Sequence, residues 1–79
     1  MDKSLTVYPI ASGDMLNIFA NDNFADIRIM DMEGNVAISS INIEHNQWQI
    51  DITNLQRATY IVEVVYVSGK TARSVFVKM

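Results

Sequence analysis

The strongest constraint on this chain is the run TYIVEVVYV at residues 59–67, which is apolar on both of its alternating faces. Tyr60, Val62, Val64 and Tyr66 share one face; Ile61, Val65 and Val67 make up most of the other, interrupted by Glu63. Side chains of a strand point alternately to opposite sides, so such a run is a central strand or one that something covers. Helical periodicity is not sustained anywhere in the chain.

Six other short apolar runs surround it, each bounded by turn residues. LTVY at 5–8 places Leu5 and Val7 on one face, and Pro9 ends the run or marks an edge. ASGD is a turn signal, and MLNIFA follows with Leu16, Ile18 and Ala20 on one side. NDN reads as a break. ADIRIMD then alternates Ala25, Ile27 and Ile29 with Asp26, Arg28 and Met30, and MEGN is a turn in which Gly34 is free to take positive φ. In NVAISSINI the apolar period slips between Ile38 and Ile41, which predicts a bulge or a bend. EHNQ reads as a turn. WQIDIT alternates cleanly, with Trp48, Ile50 and Ile52 inward. NLQRA is a short turn or a single helical turn. SGK closes a hairpin onto TARSVFVKM, where Val75 and Val77 lie opposite Phe76.

Short β-branched runs recurring every 8–12 residues or so predict two packed antiparallel sheets. The fold expected is all-β: an immunoglobulin-like antiparallel sandwich of about seven short strands, Greek-key in type, with a small barrel as the alternative. The 79 residues make one domain, below the common size range, so stability has little margin.

Composition narrows the function. With no cysteine there are no disulfides and no thiolate metal sites. The net charge of −3 and the scattered Lys3, Arg28, Arg57, Lys70, Arg73 and Lys78 leave no basic stripe for a nucleic acid. No apolar stretch approaches the roughly 18 residues of a membrane-spanning helix. The opening MDKSLTVYPI is not a signal peptide, so the chain stays in the cytosol or belongs to a longer protein whose targeting part lies elsewhere.

Chemistry is equally sparse. The lone histidine, His45, reads as a polar loop residue between Glu44 and Asn46. Asp31 and Glu33 in DMEGN do not make a twelve-residue calcium loop. Ser68 sits in a hairpin turn with nothing to activate it, and no GxSxG, phosphate loop or paired-histidine motif is present. No cofactor and no enzyme activity are expected. Trp48 reads first as core and second as a ligand platform. Tyr60 and Tyr66 suit a core with hydroxyls at its rim. If Ile61, Val65 and Val67 are uncovered, that face is an association surface. The final run is a candidate edge strand able to pair with another chain, with Arg73 and Lys78 as guards or contacts.

These pieces together resemble the C-terminal sorting domain, type A, of the type IX secretion system, carried by exported proteins of Bacteroidetes. The matching stretches are LTVYP, ASGDMLNI, ADIRIMDMEGNV, IDITNL, TYIVEV, SGK and FVKM, in order over nearly the whole chain. Related short sandwich domains of gut Bacteroidetes share the pattern. Where the family writes YPNP this chain has Tyr8, Pro9, Ile10 and Ala11. Where the family has glycine in L-x-x-G-x-Y it has Ala58, which predicts a different or strained turn.

The resemblance implies a non-catalytic address at the end of a longer exported protein. It is read by the secretion machinery, and the protein is delivered through the periplasm to the exterior or the cell surface. There a peptidase can remove the domain and join its cargo to a surface glycolipid. The resemblance assigns recognition to Gly69, Lys70, Phe76, Val77 and Lys78, and the edge-strand reading adds Arg73 to them. It assigns a structural part to Tyr8, Pro9, Gly34, Leu55 and Tyr60. The alternative is a protein-binding or assembly module of an exported protein, working through a strand edge or a sheet face, with self-association or strand exchange open to it.

Overall fold

A computed structural model describes residues 5–9 and 14–78, with the backbone alone at Tyr8 and Pro9. Its elements are β1 (Leu5–Pro9), β2 (Met15–Met30), β3 (Val36–Ser40), β4 (His45–Asp51), β5 (Ala58–Tyr66) and β6 (Thr71–Lys78). All pairings are antiparallel.

Strand β2 organises the fold because it serves both layers. Its first half lies between β1 and β4, with Ile18 opposite Val7 and Trp48. Its second half lies between β3 and β5, with Ile29 opposite Ile38 and Val62. β6 completes the second layer against β5. The sheet is thus curled on itself as an immunoglobulin-like sandwich, as the apolar pattern predicts.

Six strands form among the described residues where about seven are expected, because NDN does not break the chain. Asn21, Asp22 and Asn23 are the bend by which one strand passes between layers. The change of layer needs a change of phase. Leu16, Ile18 and Phe24 are buried at even positions, whereas Ile27 and Ile29 are buried at odd ones. A bulge supplies the shift: Phe24 opposes Tyr66 and Asp26 opposes Val65, which leaves Ala25 as the extra residue. The Ala25 carbonyl accepts a hydrogen bond from Ile43 N–H at 3.0 Å, so the group freed by the bulge is used.

The β3–β4 segment also differs from expectation. The period slip after Ile38 marks the end of β3, and the irregularity in register lies earlier, where Met30 pairs with Val36. The chain then crosses between layers through Asn42 and Glu44, both at positive φ (56° and 57°), with Ile43 buried between them. EHNQ is not a turn: β4 begins at His45, which is a strand residue stacked on Trp48 with ring centroids 6.0 Å apart. Ile10 and residues 11–13 of the ASGD turn, Ala11 among them, fall outside the described residues.

The core joins Leu16, Ile18, Phe24, Ile27 and Ile29 of β2 to Ile50 and Ile52 and to Tyr60, Val62, Val64 and Tyr66 of β5. Each such side chain contributes about 1.5–3 kcal/mol on burial. Trp48 and Leu55 pack half-buried against this cluster, so the core reading of Trp48 holds.

Candidate functional site: the terminal hairpin

The β5–β6 hairpin closes through residues 67–70. Tyr66 N–H donates to Lys70 O at 2.7 Å, and Gly69 N–H donates to Tyr66 O at 2.8 Å. Gly69 sits at φ 95°, a conformation that L side chains rarely adopt. Val67 N–H reaches Asn23 O at 2.9 Å, which fastens the turn to the bend of β2.

β6 divides its residues between two faces. Inward, Phe76 is 4% exposed and stacks on Tyr60 with centroids 5.5 Å apart. Tyr60 in turn donates its hydroxyl to Gln56 O at 2.7 Å. Outward, Val75 and Val77 are 56% and 49% exposed. Alternation alone separates Phe76 from its neighbours on either side.

Two charged arrangements frame the outward face. Glu63, opposite Arg73 on β6 and Arg28 on β2, accepts from both: Arg28 Nη2 at 2.7 Å and Arg73 Nη2 at 2.9 Å. Glu63 is mostly covered by the two guanidiniums, which remain exposed. One step along the strands the register sets Met30, Ile61 and Val75 in a row. Exposed Val36 and Val77 extend it, so an apolar row lies beside an ionic one. Of the outer residues of β5, Ile61 and Val65 are half-buried and Val67 is exposed in the turn.

Lys78 turns back into the domain. Its Nζ donates to Ile52 O at 2.6 Å and to Thr53 O at 3.3 Å, ending β6 against the turn after β4. Asp51 braces that turn by accepting from Thr53 Oγ1 at 2.6 Å and from Thr53 N–H at 2.9 Å. These bonds, with a smaller contribution from the Lys78 charge, hold the Asp51 carboxyl below its ordinary pKa of 3.8.

The remaining sequence candidates fall into place. Gly34, at φ 90°, completes a turn in which Asp31 accepts from Asn35 N–H, Asn35 Nδ2 and Glu33 N–H. Those bonds lower the Asp31 pKa, the Asn35 ones most, and commit its oxygens to the loop. Ala58 opens β5 opposite Lys78 and is not among the positive-φ residues, so no strain is present there. Backbone pairing puts Tyr8 opposite Asn17 and Pro9 opposite Leu16. Among the described residues no three carboxylate or imidazole groups converge as a metal site. The hairpin gathers Gly69, Lys70, Arg73, Phe76, Val77 and Lys78 on one strand and its turn, but on different faces. Val75 and Ile61 were not singled out in the terminal motif; pairing register is the signal that joins them to Val77.

The comparisons with known proteins agree with this architecture. A model of the secretion system C-terminal sorting domain matches residues 6–78. A beta-agarase D of Zobellia galactanivorans is 30% identical over 71 residues, which is 90% of this chain and 14% of that protein. The chain therefore spans about a seventh of the curated relative it matches. Among solved structures, a DUF3244 family protein with an immunoglobulin-like β-sandwich from Bacteroides vulgatus superposes with a TM-score of 0.76 at 23% identity, covering 99% of this chain and 92% of that one. CopC from Methylosinus trichosporium OB3b gives a TM-score of 0.53 at 16% identity, covering 96% and 85%. Both show the fold alone. A sorting domain is non-catalytic: the secretion machinery reads it as a protein partner and carries its protein out to the cell surface. With that match over nearly its full length, the chain belongs to the family of secretion-system C-terminal sorting domains.

Proposed function

We propose that the secretion machinery reads the outward face of the β5–β6 hairpin. Val75 and Val77 are the apolar contacts, Ile61 lies beneath them, and Arg73 with the Gly69–Lys70 turn forms the polar rim. Phe76 and Lys78 serve recognition indirectly, by fixing where β6 lies. The domain acts as a unit at the C-terminal end of a longer exported protein.

The observation that supports this most is the split of β6. Phe76 is buried against Tyr60 and Lys78 is bound to Ile52 O, whereas Val75 and Val77 stand about half exposed beside a pre-formed ion cluster. Exposed apolar side chains rimmed by satisfied charges are the usual make-up of a protein-binding patch. Because Glu63 already orients Arg73, little side-chain freedom is lost on docking.

The test is a signal-peptide reporter fused ahead of this chain in a host with this export system. The double change Val75→Lys and Val77→Lys should lower the exported reporter by about tenfold or more while the fold is retained. Undiminished export of that variant, or export that survives loss of residues 76–79, would overturn the reading.

A further inference from the structure

The edge of β4 is the other open feature, and it lies on the flank away from the terminal hairpin. β2 separates β4 from β1, and β1 is the strand that packs near β6. Among the described residues β4 pairs with β2 alone. A hollow of about 530 Å³ beside it is lined by His45, Asn46, Gln47, Trp48 and Gln49. Consecutive strand residues alternate between faces, so a hollow touching all five lies off the strand's free edge, in the plane of the layer. That is the place of a neighbouring strand.

This edge is also poorly defended. Edge strands are ordinarily blunted by lysine, proline, brevity or a covering segment. β1 ends in Pro9, β6 carries Arg73, and β3 has only five residues. β4 has seven residues, HNQWQID, with no lysine and no proline.

We infer that β4 pairs with β4 of a second copy of this chain, across a two-fold axis perpendicular to the layer. Such an axis keeps core-facing side chains opposite core-facing ones, so only registers that pair even positions with even are allowed. Of these, the register centred on Trp48 engages every residue of His45–Asp51. Asn46 falls opposite Ile50 without a specific contact, and the other pairs are complementary. His45 faces Asp51 of the second copy, an imidazole donor against a carboxylate. Gln47 faces Gln49, amide to amide. Trp48 faces Trp48, an aromatic cross-strand pair. No like charges oppose one another. Gln49 is held ready, with its Nε2 donating to Oδ1 of Asn17, a residue only 7% exposed. The product is one continuous layer, β1–β2–β4 joined to its copy, and two sorted proteins would travel as a pair.

The register makes the test specific. Gln47→Glu with Gln49→Lys sets opposite charges across the axis twice; Gln47→Lys with Gln49→Lys sets like charges there. Both variants keep an amine at position 49 able to donate to Asn17, so the fold is matched between them. Sedimentation of the 79-residue chain from about 10 µM to about 1 mM should show a monomer–dimer equilibrium. The first variant should tighten it about tenfold and the second weaken it about tenfold. Amide signals of residues 45–51 should shift with concentration, together with the fluorescence of Trp48, the single tryptophan. A monomer throughout would overturn the inference. So would a dimer indifferent to both variants, or shifts at 45–51 that appear only with an added heterologous peptide or neutral oligosaccharide.

Discussion

Lys78 Nζ donates to the carbonyl oxygen of Ile52 at 2.6 Å, joining the end of the last strand to the turn that follows β4. A terminal lysine in a sorting motif invites the view that it faces the translocon. Here its ammonium is directed into the domain. Lys78→Met keeps the apolar stem and removes the charged donor, leaving Ile52 O with the Leu55 N–H bond alone. A loss of about 1–2 kcal/mol follows. A urea midpoint moved down by that amount confirms it; an unmoved midpoint contradicts it.

Phe76 and Val77 should respond in opposite ways. Phe76→Ala leaves a cavity beside Tyr60 and costs about 3–5 kcal/mol, a large part of what a domain of this size has. Val77→Lys stays within about 0.5 kcal/mol, because its side chain already faces water. Thermal melts of both distinguish folding from recognition when export is lost.

The cluster around Glu63 is mostly a device of position. Glu63→Gln removes a charge whose Arg28 and Arg73 partners are solvent-screened, so stability changes by about 1 kcal/mol or less, and less still in high salt. Export should fall further than stability, since both guanidiniums lose their anchor. Paired melts and secretion assays of this variant test the difference.

Backbone conformation separates two turns. Glu44 holds φ at 57°, where asparagine is better tolerated, so Glu44→Asn should gain about 0.5–1 kcal/mol. Gly69→Ala should lose about 1–2 kcal/mol. Among the described residues, its chain neighbours aside, no heavy atom lies within 4 Å of the added methyl, so that loss is conformational. Denaturation of both variants reads the two signs directly.

Acid should weaken the domain through Asp31 and Asp51. Both have folded pKa values below the ordinary 3.8, so their contribution is fully present above that value and is lost as pH falls through the lower folded values. Asp51→Ala should flatten the acid limb of the stability curve and leave its neutral plateau lower. Urea midpoints measured from about pH 2 to pH 7 show this.

Much of this was legible in the residues. The alternation of Tyr60, Val62, Val64 and Tyr66 gives the buried face of β5 directly, and Trp48, Ile50 and Ile52 give that of the β4 segment. Gly34 and Gly69 mark turns that need positive φ. NDN misleads because asparagine and aspartate favour turns locally, whereas here the pairing of Phe24 with both Tyr66 and His45 carries the strand through. EHNQ misleads likewise, since the crossover at Asn42 and Glu44 depends on which layer each strand joins. The two faces of β6 were legible too, since alternation sets Val75 and Val77 opposite Phe76; which of them meets the core was not. Phe76 and Val77 look alike in a motif, and only the position of the opposing β5 residues decides which of them is buried. Lys78 has no local signal for its bond to a carbonyl 26 residues earlier.

The most direct measurement is site-specific photocrosslinking in an exporting cell, with the reactive group placed in turn at positions 75, 77, 74 and 47. Adducts with the secretion machinery are expected from 75 and 77, and none from 74 on the opposite face of β6 or from 47 on the far flank. Adducts with the machinery from 74 or 47, with 75 and 77 silent, would contradict this assignment of the recognition face.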